Sequence, residues 1–195
     1  MKEDILEQLV DDYLQSRGYF TIHNIKFLPR KDHPDFIKLQ DSNHSDIDVL
    51  GYNPRRDGTD RVLAVSCKSW QTGFPVRAIL DEIENNKRRS GKETWRSFRE
   101  LVRPKWSEAF IAAIEAATGS SQFTYITAVT VIKGDRSDWE SHKRFQTALN
   151  GNPIRLLSLG DMVSEVTPLL GTTLASSQFG RTIQLLKASG YTLST

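Results

Sequence analysis

Two neighbouring segments of the sequence carry residue types that can hydrolyse a phosphodiester. Asp48 lies in the segment "SDIDVLGY", and Lys68 ends the segment "VLAVSCK". Both segments are rich in β-branched and apolar residues, and the polar stretch "NPRRDGTD" between them predicts a β-hairpin. An aspartate offers the hard oxygen ligand that Mg²⁺ prefers, and a lysine can orient a water and stabilise developing negative charge. The pair therefore predicts a metal-dependent site, with a plain Asp48–Lys68 salt bridge as the alternative.

The faces of the two predicted strands decide which side chains can meet. Because side chains alternate along a strand, we expect Ser66 and Lys68 on one face and Cys67 on the other, as a small core residue. The same alternation puts Asp46 and Asp48 on one face, with the isoleucine and valine that flank Asp48 in the core. A hairpin then places Asp48 beside Ser66 and Lys68, and Asp46 remains the alternative aspartate.

These segments together resemble a known superfamily. A helix carrying Glu7, the residues "GYF" that enter the first strand, "SDIDVLGYN" and "VLAVSCKSW" are similar to the PD-(D/E)xK restriction-endonuclease-like proteins, and within them to Mrr-like proteins. The resemblance covers residues 3–90. It implies a restriction-endonuclease-like α/β core that cleaves DNA with Mg²⁺ or Mn²⁺. It also implies roles for individual residues: Asp48 as metal ligand, helped by the Cys67 backbone carbonyl, Lys68 as catalytic lysine, and Glu7 as an accessory acid.

One position departs from the motif of that superfamily. Ser66 stands where the family pattern has a carboxylate, and a serine hydroxyl is a poor Mg²⁺ ligand. Some restriction enzymes with serine at this position take the missing glutamate from the following helix, and Glu82 lies on such a helix, 14 positions after Lys68. We therefore expect Glu82 to complete the site, with Glu84 as the second candidate. The alternative is that both glutamates belong to a solvated acidic helix face.

Positive charge is concentrated after the predicted site. The whole chain has a net charge of +2, but residues 87–105 contain eight basic and two acidic residues. Such a concentration suits a phosphate backbone, whose binding is electrostatic, although a solvated helix face is an equally ordinary explanation. The residues that we expect to contact DNA are Lys87, Arg88, Arg89, Lys92 and Arg96, with Gln71 just past the lysine strand.

Composition limits the class of protein. The chain has 195 residues, of which 38% are hydrophobic and 26% charged, which is typical of a globular protein. One cysteine excludes an internal disulfide and a multi-cysteine zinc site, and the four histidines form no zinc-binding pattern. No apolar run approaches the roughly 20 residues that cross a bilayer, and the acidic start lacks the features of a signal peptide. A cytoplasmic protein is expected, with no membrane partner.

The remaining elements must hold these residues in place. Apolar periodicity and turn residues predict helices at 3–17, 76–89 and 92–117, a loop at 29–45 and a buried strand at 123–132. The alternation of strands and helices predicts an α/β fold with a mixed central sheet flanked by helices on both faces. We expect one restriction-endonuclease-like domain over residues 1–195, with a helical elaboration at about 90–120.

Two functions of different classes follow from the sequence. The first is a Mg²⁺-dependent endonuclease that hydrolyses phosphodiester bonds in DNA, for restriction and defence or for DNA processing. Because double-strand cleavage usually needs two active sites, this function implies a homodimer or higher homo-oligomer. The alternative is a DNA-binding or assembly protein that kept the nuclease fold and lost catalysis at Ser66.

Overall fold

The computed structural model describes residues 4–175 and 177–190. Its strands are β1 (Phe20–Phe27), β2 (Ser45–Tyr52), β3 (Val62–Lys68), β4 (Phe74–Pro75), β5 (Arg88–Arg89), β6 (Lys92–Glu93), β7 (Thr124–Val129), β8 (Ile132–Lys133) and β9 (Ile154–Ser158). Its α-helices are α1 (Ile5–Ser16), α2 (Lys38–Asp41), α3 (Val76–Glu84), α4 (Arg99–Val102), α5 (Pro104–Thr118), α6 (Ser137–Glu140), α7 (Lys143–Ala148), α8 (Leu159–Val166) and α9 (Gln178–Ala188). Short 3-10 helices cover Gly58–Arg61, Thr94–Phe98 and Thr167–Leu169.

Five strands form one mixed sheet in the order β1-β2-β3-β7-β9. The strands β1, β2 and β3 are antiparallel neighbours, whereas β3, β7 and β9 run parallel. The parallel pairs require crossovers, and helices supply them on the way from β3 to β7 and from β7 to β9. The predicted hairpin of β2 and β3, and the predicted mixed sheet, are confirmed.

The sheet is covered by helices on both faces, as predicted. Along β3, Val62 and Ala64 pack into one apolar cluster, while Leu63 and Val65 pack into a second cluster on the opposite face. The first cluster takes side chains from α3, α4, α5, α6 and α7, and the second takes them from α1, α8 and α9. Strand β7 has no exposed residue, because it lies in the centre of the parallel part of the sheet.

The region between β3 and β7 differs from the two long helices that the sequence predicts. Helix α3 ends at Glu84 instead of residue 89, and a two-stranded hairpin of β5 and β6 follows it. The turn of this hairpin has φ of +50° at Ser90 and +81° at Gly91, which no continuing helix allows. Pro104 then separates α4 from α5, with Arg103 in an extended conformation (φ −120°, ψ 117°).

Two further expectations are corrected in detail. The segment predicted as a loop at 29–45 contains the short helix α2 and the first residue of β2. The buried strand predicted at 123–132 ends at Val129, and the chain resumes as the short strand β8, which pairs with β4. In the part of the chain that the structure describes, no helix has the length and apolar character needed to cross a membrane.

Gly73 fixes the loop that leads from Lys68 to α3. It has φ of +79°, and a Cβ atom added there would lie 2.5 Å from Cγ1 of Val131. Backbone strain and overpacking therefore both oppose a side chain, and we expect Gly73→Ala to lower the free energy of unfolding by roughly 2–4 kcal/mol. The matched control is Gly58→Ala, because Gly58 has φ of +58° but no atom of the described residues within 4 Å of the added Cβ.

Chemical denaturation of the two glycine variants checks this prediction. Gly58→Ala is expected to lose about 1 kcal/mol, the strain cost alone. Equal losses in the two variants would contradict the steric contribution of Val131.

Candidate functional site

Strands β2 and β3 separate where the candidate site begins. The β2–β3 pairing runs from Tyr52–Val62 to Val49–Val65. Beyond Val65, β3 remains paired with β7 as far as Lys68 but is no longer paired with β2. In the space where the ladder would continue, Asp48 turns its carboxylate to β3. The backbone N–H of Cys67 donates to Oδ2 of Asp48 at 2.5 Å. The separation of the two strands therefore gives one aspartate direct access to the end of β3.

The regular alternation predicted for β2 is broken at Asp48. Ile47 packs into the same cluster as Leu50, whereas Val49 packs into the cluster on the opposite face. The β1–β2 pairing skips Asp48 and its neighbour Asn24, which has φ of +54°. The two apolar neighbours of Asp48 are both buried, as predicted, but they lie on opposite faces of the sheet instead of sharing one. The Asp48 side chain contacts β3 at this break in the alternation.

Asp46, the alternative aspartate, lies on the outside of the sheet. It is exposed and stands opposite Lys26 in the β1–β2 register. Its negative charge nevertheless raises the pKa of Asp48 and Glu7, after the larger effect of burial. Asp48 is thus the aspartate that contacts β3, whereas Asp46 is an exposed charge on the neighbouring part of β2.

Lys68 and Ser66 lie on one face of β3, as the alternation predicts. Nζ of Lys68 donates to Oγ of Ser66 at 2.7 Å and lies 5.6 Å from the centre of the Phe98 ring. Within the described residues, no ion pair of 4.0 Å or less joins Lys68 to Asp48. Burial raises the pKa of Asp48, and the Lys68 charge and the Cys67 N–H offset only part of that effect. The carboxylate therefore lacks full charge compensation from the protein.

Helix α1 brings a second acidic group to the site. Asp4 caps the helix by accepting from the N–H of Leu6 at 2.9 Å, and it accepts from Oγ of Ser69 at 2.7 Å, directly after β3. This contact holds the start of α1 against the end of the lysine strand. Burial, and then the charges of Asp48, Asp4 and Asp46, raise the pKa of Glu7 to about 7. The predicted accessory acid thus lies within the field of Asp48.

Glu82, the predicted replacement for the missing carboxylate, has other partners. Its oxygens accept from Nη2 and Nε of Arg89 at 2.8 and 3.0 Å and from Oγ1 of Thr94 at 2.7 Å. The Arg89 hydrogen bond is the main reason that the pKa of Glu82 is lowered. Glu82 therefore joins the β5–β6 hairpin to α3. Glu84, the second candidate, lies 3.3 Å from Nε2 of His142.

A glutamate outside the predicted site residues is linked to Ser66 through a buried tyrosine. Glu100 on α4 is 5% exposed, and its Oε1 accepts from the hydroxyl of Tyr125 at 2.6 Å. Tyr125 stands opposite Ala64 on β3, and its hydroxyl also interacts with Ser66. The negative charge of Glu100 contributes to raising the pKa of Asp48. Glu100, Tyr125, Ser66 and Lys68 thus form one continuous polar chain in the apolar interior.

Glu100 was not predicted as a site residue because of its neighbours in the sequence. The segment "RSFRELVRPKW" is dense in charge and fits a solvated helix, in which a single glutamate carries no signal. In the structure Glu100 lies on α4, a separate helix of four residues, and is buried there. The hydrogen bond from Tyr125 is the only one that the described residues donate to its carboxylate.

The basic segment does not form one continuous positive surface. Lys87 pairs with Asp81, Arg89 with Glu82, and Arg96 with Glu93, while Lys105 is buried with Asp41. Of the predicted DNA contacts, Arg88 and Lys92 are exposed and have no ion pair with any described residue. Gln71 is exposed in the loop after Lys68. The cations available to a ligand are therefore fewer than the sequence suggests.

Cys67 contributes its backbone to the site and its side chain to the core. The thiol packs against the cluster under α1, on the face opposite Ser66, and burial raises its pKa well above the ordinary value. A protonated, buried thiol is a poor nucleophile. The expected core role of this side chain agrees with its packing, and the expected metal contact of its carbonyl remains a prediction.

The donor set is compatible with a divalent cation that keeps most of its waters. In residues 4–175 and 177–190, no three His, Cys, Asp or Glu side chains converge as a complete metal site. Mg²⁺ in phosphoryl-transfer sites, however, is usually held by one or two carboxylates, waters and phosphate oxygens of the substrate. Asp48 and Glu100, two carboxylates withdrawn from solvent beside one lysine, fit that pattern.

Comparison with models of known protein families, with curated proteins and with solved structures gives no match. The functional conclusion therefore comes from the site itself. Its parts are Asp48 where two strands separate, Lys68 held by Ser66, and a second carboxylate on α4.

Proposed function

We propose that this protein is a Mg²⁺- or Mn²⁺-dependent endonuclease that hydrolyses phosphodiester bonds in DNA, built on a restriction-endonuclease-like core. The observation that carries the proposal is Asp48, which contacts β3 where β2 leaves it, close to the end of the strand that carries Lys68, and on whose pKa the charges of Lys68 and Glu100 both act. The sheet order and the helix α1 packed beside the lysine strand are compatible with that core. Restriction and defence, or DNA processing, are the roles that such an activity would serve.

Asp48 and Glu100 are the residues that would hold the metal ion. Asp48 accepts from the Cys67 N–H with one oxygen, and Glu100 accepts from the Tyr125 hydroxyl with one oxygen, so among the described residues each carboxylate is oriented by one strong hydrogen bond. When bound, the ion would neutralise charge on the scissile phosphate and lower the pKa of a water. The incompletely compensated charge of Asp48 is the feature that favours a cation here.

Lys68 supplies the positive charge on the protein side of the reaction. Its ammonium group has three donors, and Ser66 uses one of them. The remaining donors can bind a phosphate oxygen or orient the attacking water, which stabilises the negative charge that develops. Ser66 acts on Lys68 and is therefore a positioning residue. Burial and the charge of Asp48 raise the pKa of Glu7 to about 7, so this accessory acid can exchange a proton near neutral pH.

Supercoiled plasmid gives the direct test of this function. We expect the purified protein to nick plasmid in Mg²⁺ or Mn²⁺ and to be inactive in EDTA. Lys68→Ala should reduce the rate by roughly 100-fold or more, the usual contribution of a positioned acid–base or charge-stabilising group. Lys187→Ala, which removes an exposed lysine on α9, is the matched control and should leave the rate unchanged. Equal nicking by wild type and Lys68→Ala would indicate a contaminating nuclease and refute the proposal.

Ser66 supports a second candidate function. Since it occupies the position of a motif carboxylate, a protein that binds DNA without cutting it, as a structural or assembly factor, is also proposed. Wild-type protein that binds duplex DNA but leaves plasmid intact with either metal would select this function. Linear plasmid as an early product would instead support an endonuclease acting as a homodimer or higher homo-oligomer.

A further inference from the structure

A cleft lined mostly by cations lies on the outer side of α4. Its walls are Arg88, Gly91, Lys92, Glu93, Arg96, Ser97 and Arg99, and it encloses about 550 Å³. We call this the arginine cleft. Four of its side chains are cations and one is an acid, which leaves a formal charge of +3. The acid, Glu93, is already paired with Arg96.

Arg99 is the least compensated group in the arginine cleft. Its Nε donates to the backbone oxygen of Arg96 at 3.1 Å, and its guanidinium lies 4.7 Å from the centre of the Trp106 ring. Its Nη1 is buried and has no hydrogen-bond partner among the described residues. A buried donor without an acceptor costs about 1–3 kcal/mol, more for a charged group. Among the described residues, no carboxylate forms an ion pair of 4.0 Å or less with this guanidinium, although the charges of Glu100 and Asp41 act on it from farther away.

The neighbours of Arg99 increase this charge imbalance. Arg96, whose backbone oxygen accepts from Arg99, is a second guanidinium in the wall of the same cleft. Arg88 and Lys92, at the two strands of the hairpin, have no ion pair with any described residue. Guanidinium groups match phosphate oxygens with paired, charge-assisted hydrogen bonds. A phosphate bound in the cleft would supply acceptors and relieve the repulsion.

The position of the arginine cleft indicates which phosphate it would take. Arg99 and Glu100 are consecutive on α4, and consecutive Cα atoms lie about 3.8 Å apart. Glu100 points inward to the site of Asp48, and Arg99 lines the cleft. A smaller cleft shares Lys92 with it and extends to Trp70, two residues past Lys68. The two clefts together thus reach from the hairpin to the loop after β3.

We propose that the arginine cleft binds a backbone phosphate of DNA next to the scissile one, with Arg99, Arg88 and Lys92 as its ligands. The inference rests on the proposed function for the identity of the polymer. It goes further by separating phosphate-binding cations from the cations of the same segment that stabilise the fold. Lys87, Arg89 and Lys105 belong to the second group because their charges are already paired.

The test measures the affinity for a short labelled DNA duplex in EDTA, so that no cleavage step is involved. Fluorescence anisotropy between about 50 and 200 mM salt gives the slope of log K against log salt, whose magnitude falls by about 0.9 for each phosphate that the protein no longer neutralises. We expect Arg88→Ala with Lys92→Ala to weaken binding and to reduce the slope by about one to two. Both side chains are exposed, so this variant is expected to fold.

Two further variants separate phosphate binding from structural support. Arg99→Gln should reduce the slope by about one, whereas Arg99→Lys, which keeps the charge, should retain most of it. A purely structural role on Trp106 would lower the melting temperature of both variants without changing the slope. Lys143→Ala with Lys187→Ala is the charge-matched control, since it removes two exposed lysines from α7 and α9.

The outcomes distinguish this inference from the endonuclease proposal. A slope that is the same for the cleft variant and the control overturns the cleft, whether or not the wild type cuts plasmid. Wild-type protein that does not bind duplex in EDTA at low salt also overturns it. A reduced slope in a protein that never nicks plasmid supports the cleft and refutes the endonuclease.

Discussion

Asp48→Asn and Glu100→Gln should each reduce metal-dependent DNA cleavage by about 1,000-fold or more, a loss of roughly 4 kcal/mol of transition-state stabilisation. Each change replaces a charged oxygen ligand by a neutral amide of nearly the same shape. The amide oxygen introduced at position 100 can still accept from the Tyr125 hydroxyl, so the hydrogen bond of 2.6 Å that anchors α4 to β7 need not be broken. Activity should therefore fall without unfolding.

Glu82→Gln is the control that decides between the two glutamates. Glu82 is held by Arg89 and Thr94, so its neutralisation should lower stability and leave most of the cleavage activity. Plasmid nicking, titration calorimetry with Mn²⁺ and thermal unfolding are measured on all three variants. If Glu82→Gln abolishes cleavage and Glu100→Gln does not, the metal ligand predicted from spacing is correct and the assignment of Glu100 is wrong.

A rescue variant makes the same prediction sharper. Ser66 is 7% exposed and shares the polar chain of Tyr125 and Glu100. A glutamate at position 66 would bring its carboxylate into the space that Glu100 now serves. We expect Ser66→Glu to restore part of the cleavage in the Glu100→Gln background and to add nothing in the wild type, where two carboxylates would repel each other. Failure of the rescue in a folded double variant would argue against equivalence of the two positions.

Asp41→Ala should be the most destabilising change outside the site, with a loss of about 3–5 kcal/mol in the free energy of unfolding. Asp41 is 2% exposed and accepts from Nζ of Lys105 at 2.6 Å, from the N–H of Ile37 at 2.7 Å and from Nε1 of Trp106 at 3.2 Å. Removing it leaves a buried ammonium group whose one remaining hydrogen-bond partner among the described residues is the backbone oxygen of Asp35. The segment before β2 would then lose its attachment to α5.

Asp81→Ala is the matched control for this prediction. The Asp81–Lys87 pair has the same 2.6 Å distance, but its side chains are 52% and 54% exposed. Exposed pairs contribute about 0–1 kcal/mol, so urea denaturation should show a small loss for Asp81→Ala. Losses of similar size in the two variants would contradict the claim that burial sets the effect.

The pH dependence of stability gives Asp41 a second readout. Burial raises the pKa of Asp41, but the hydrogen bonds from Lys105 and Ile37 together lower it by more than burial raises it. The net change is therefore a lowered pKa. A carboxylate with a folded pKa below the unfolded value stabilises the fold above the unfolded pKa of about 3.9. That stabilisation is lost as the pH falls through the folded pKa. Wild type should therefore lose stability in acid more steeply than Asp41→Asn.

Much of the arrangement of the site can be predicted from short stretches of sequence. The hairpin of β2 and β3 follows from β-branched runs and a turn-rich connection, and strand alternation correctly puts Ser66 and Lys68 on one face. The break at Asp48 could not be predicted in this way, because strict alternation carries no signal for it; it coincides with the left-handed backbone of Asn24 in the neighbouring strand. At this break Asp48, and not Asp46, contacts β3.

The choice of the second carboxylate shows where local patterns stop being informative. Spacing favoured Glu82 because it lies on the first helix after Lys68. Arg89 binds Glu82 from the hairpin that turns at Ser90 and Gly91. The apolar periodicity of this segment predicted helix instead of that hairpin. The burial of Glu100 depends on a tyrosine 25 positions later. Contacts of this range are set by tertiary packing, which no window of the sequence contains.

The adjacency of Arg99 and Glu100 has a thermodynamic consequence. One peptide unit of α4 carries both a residue of the arginine cleft and a proposed metal ligand, so a ligand that orders one side chain also orders the backbone of the other. The binding of the metal ion and the binding of DNA would then be coupled by a free energy. By linkage, the factor by which the metal tightens DNA binding must equal the factor by which DNA tightens metal binding. Through the four residues of α4, the free protein would bind the metal ion weakly, and the complex with DNA would bind it more tightly.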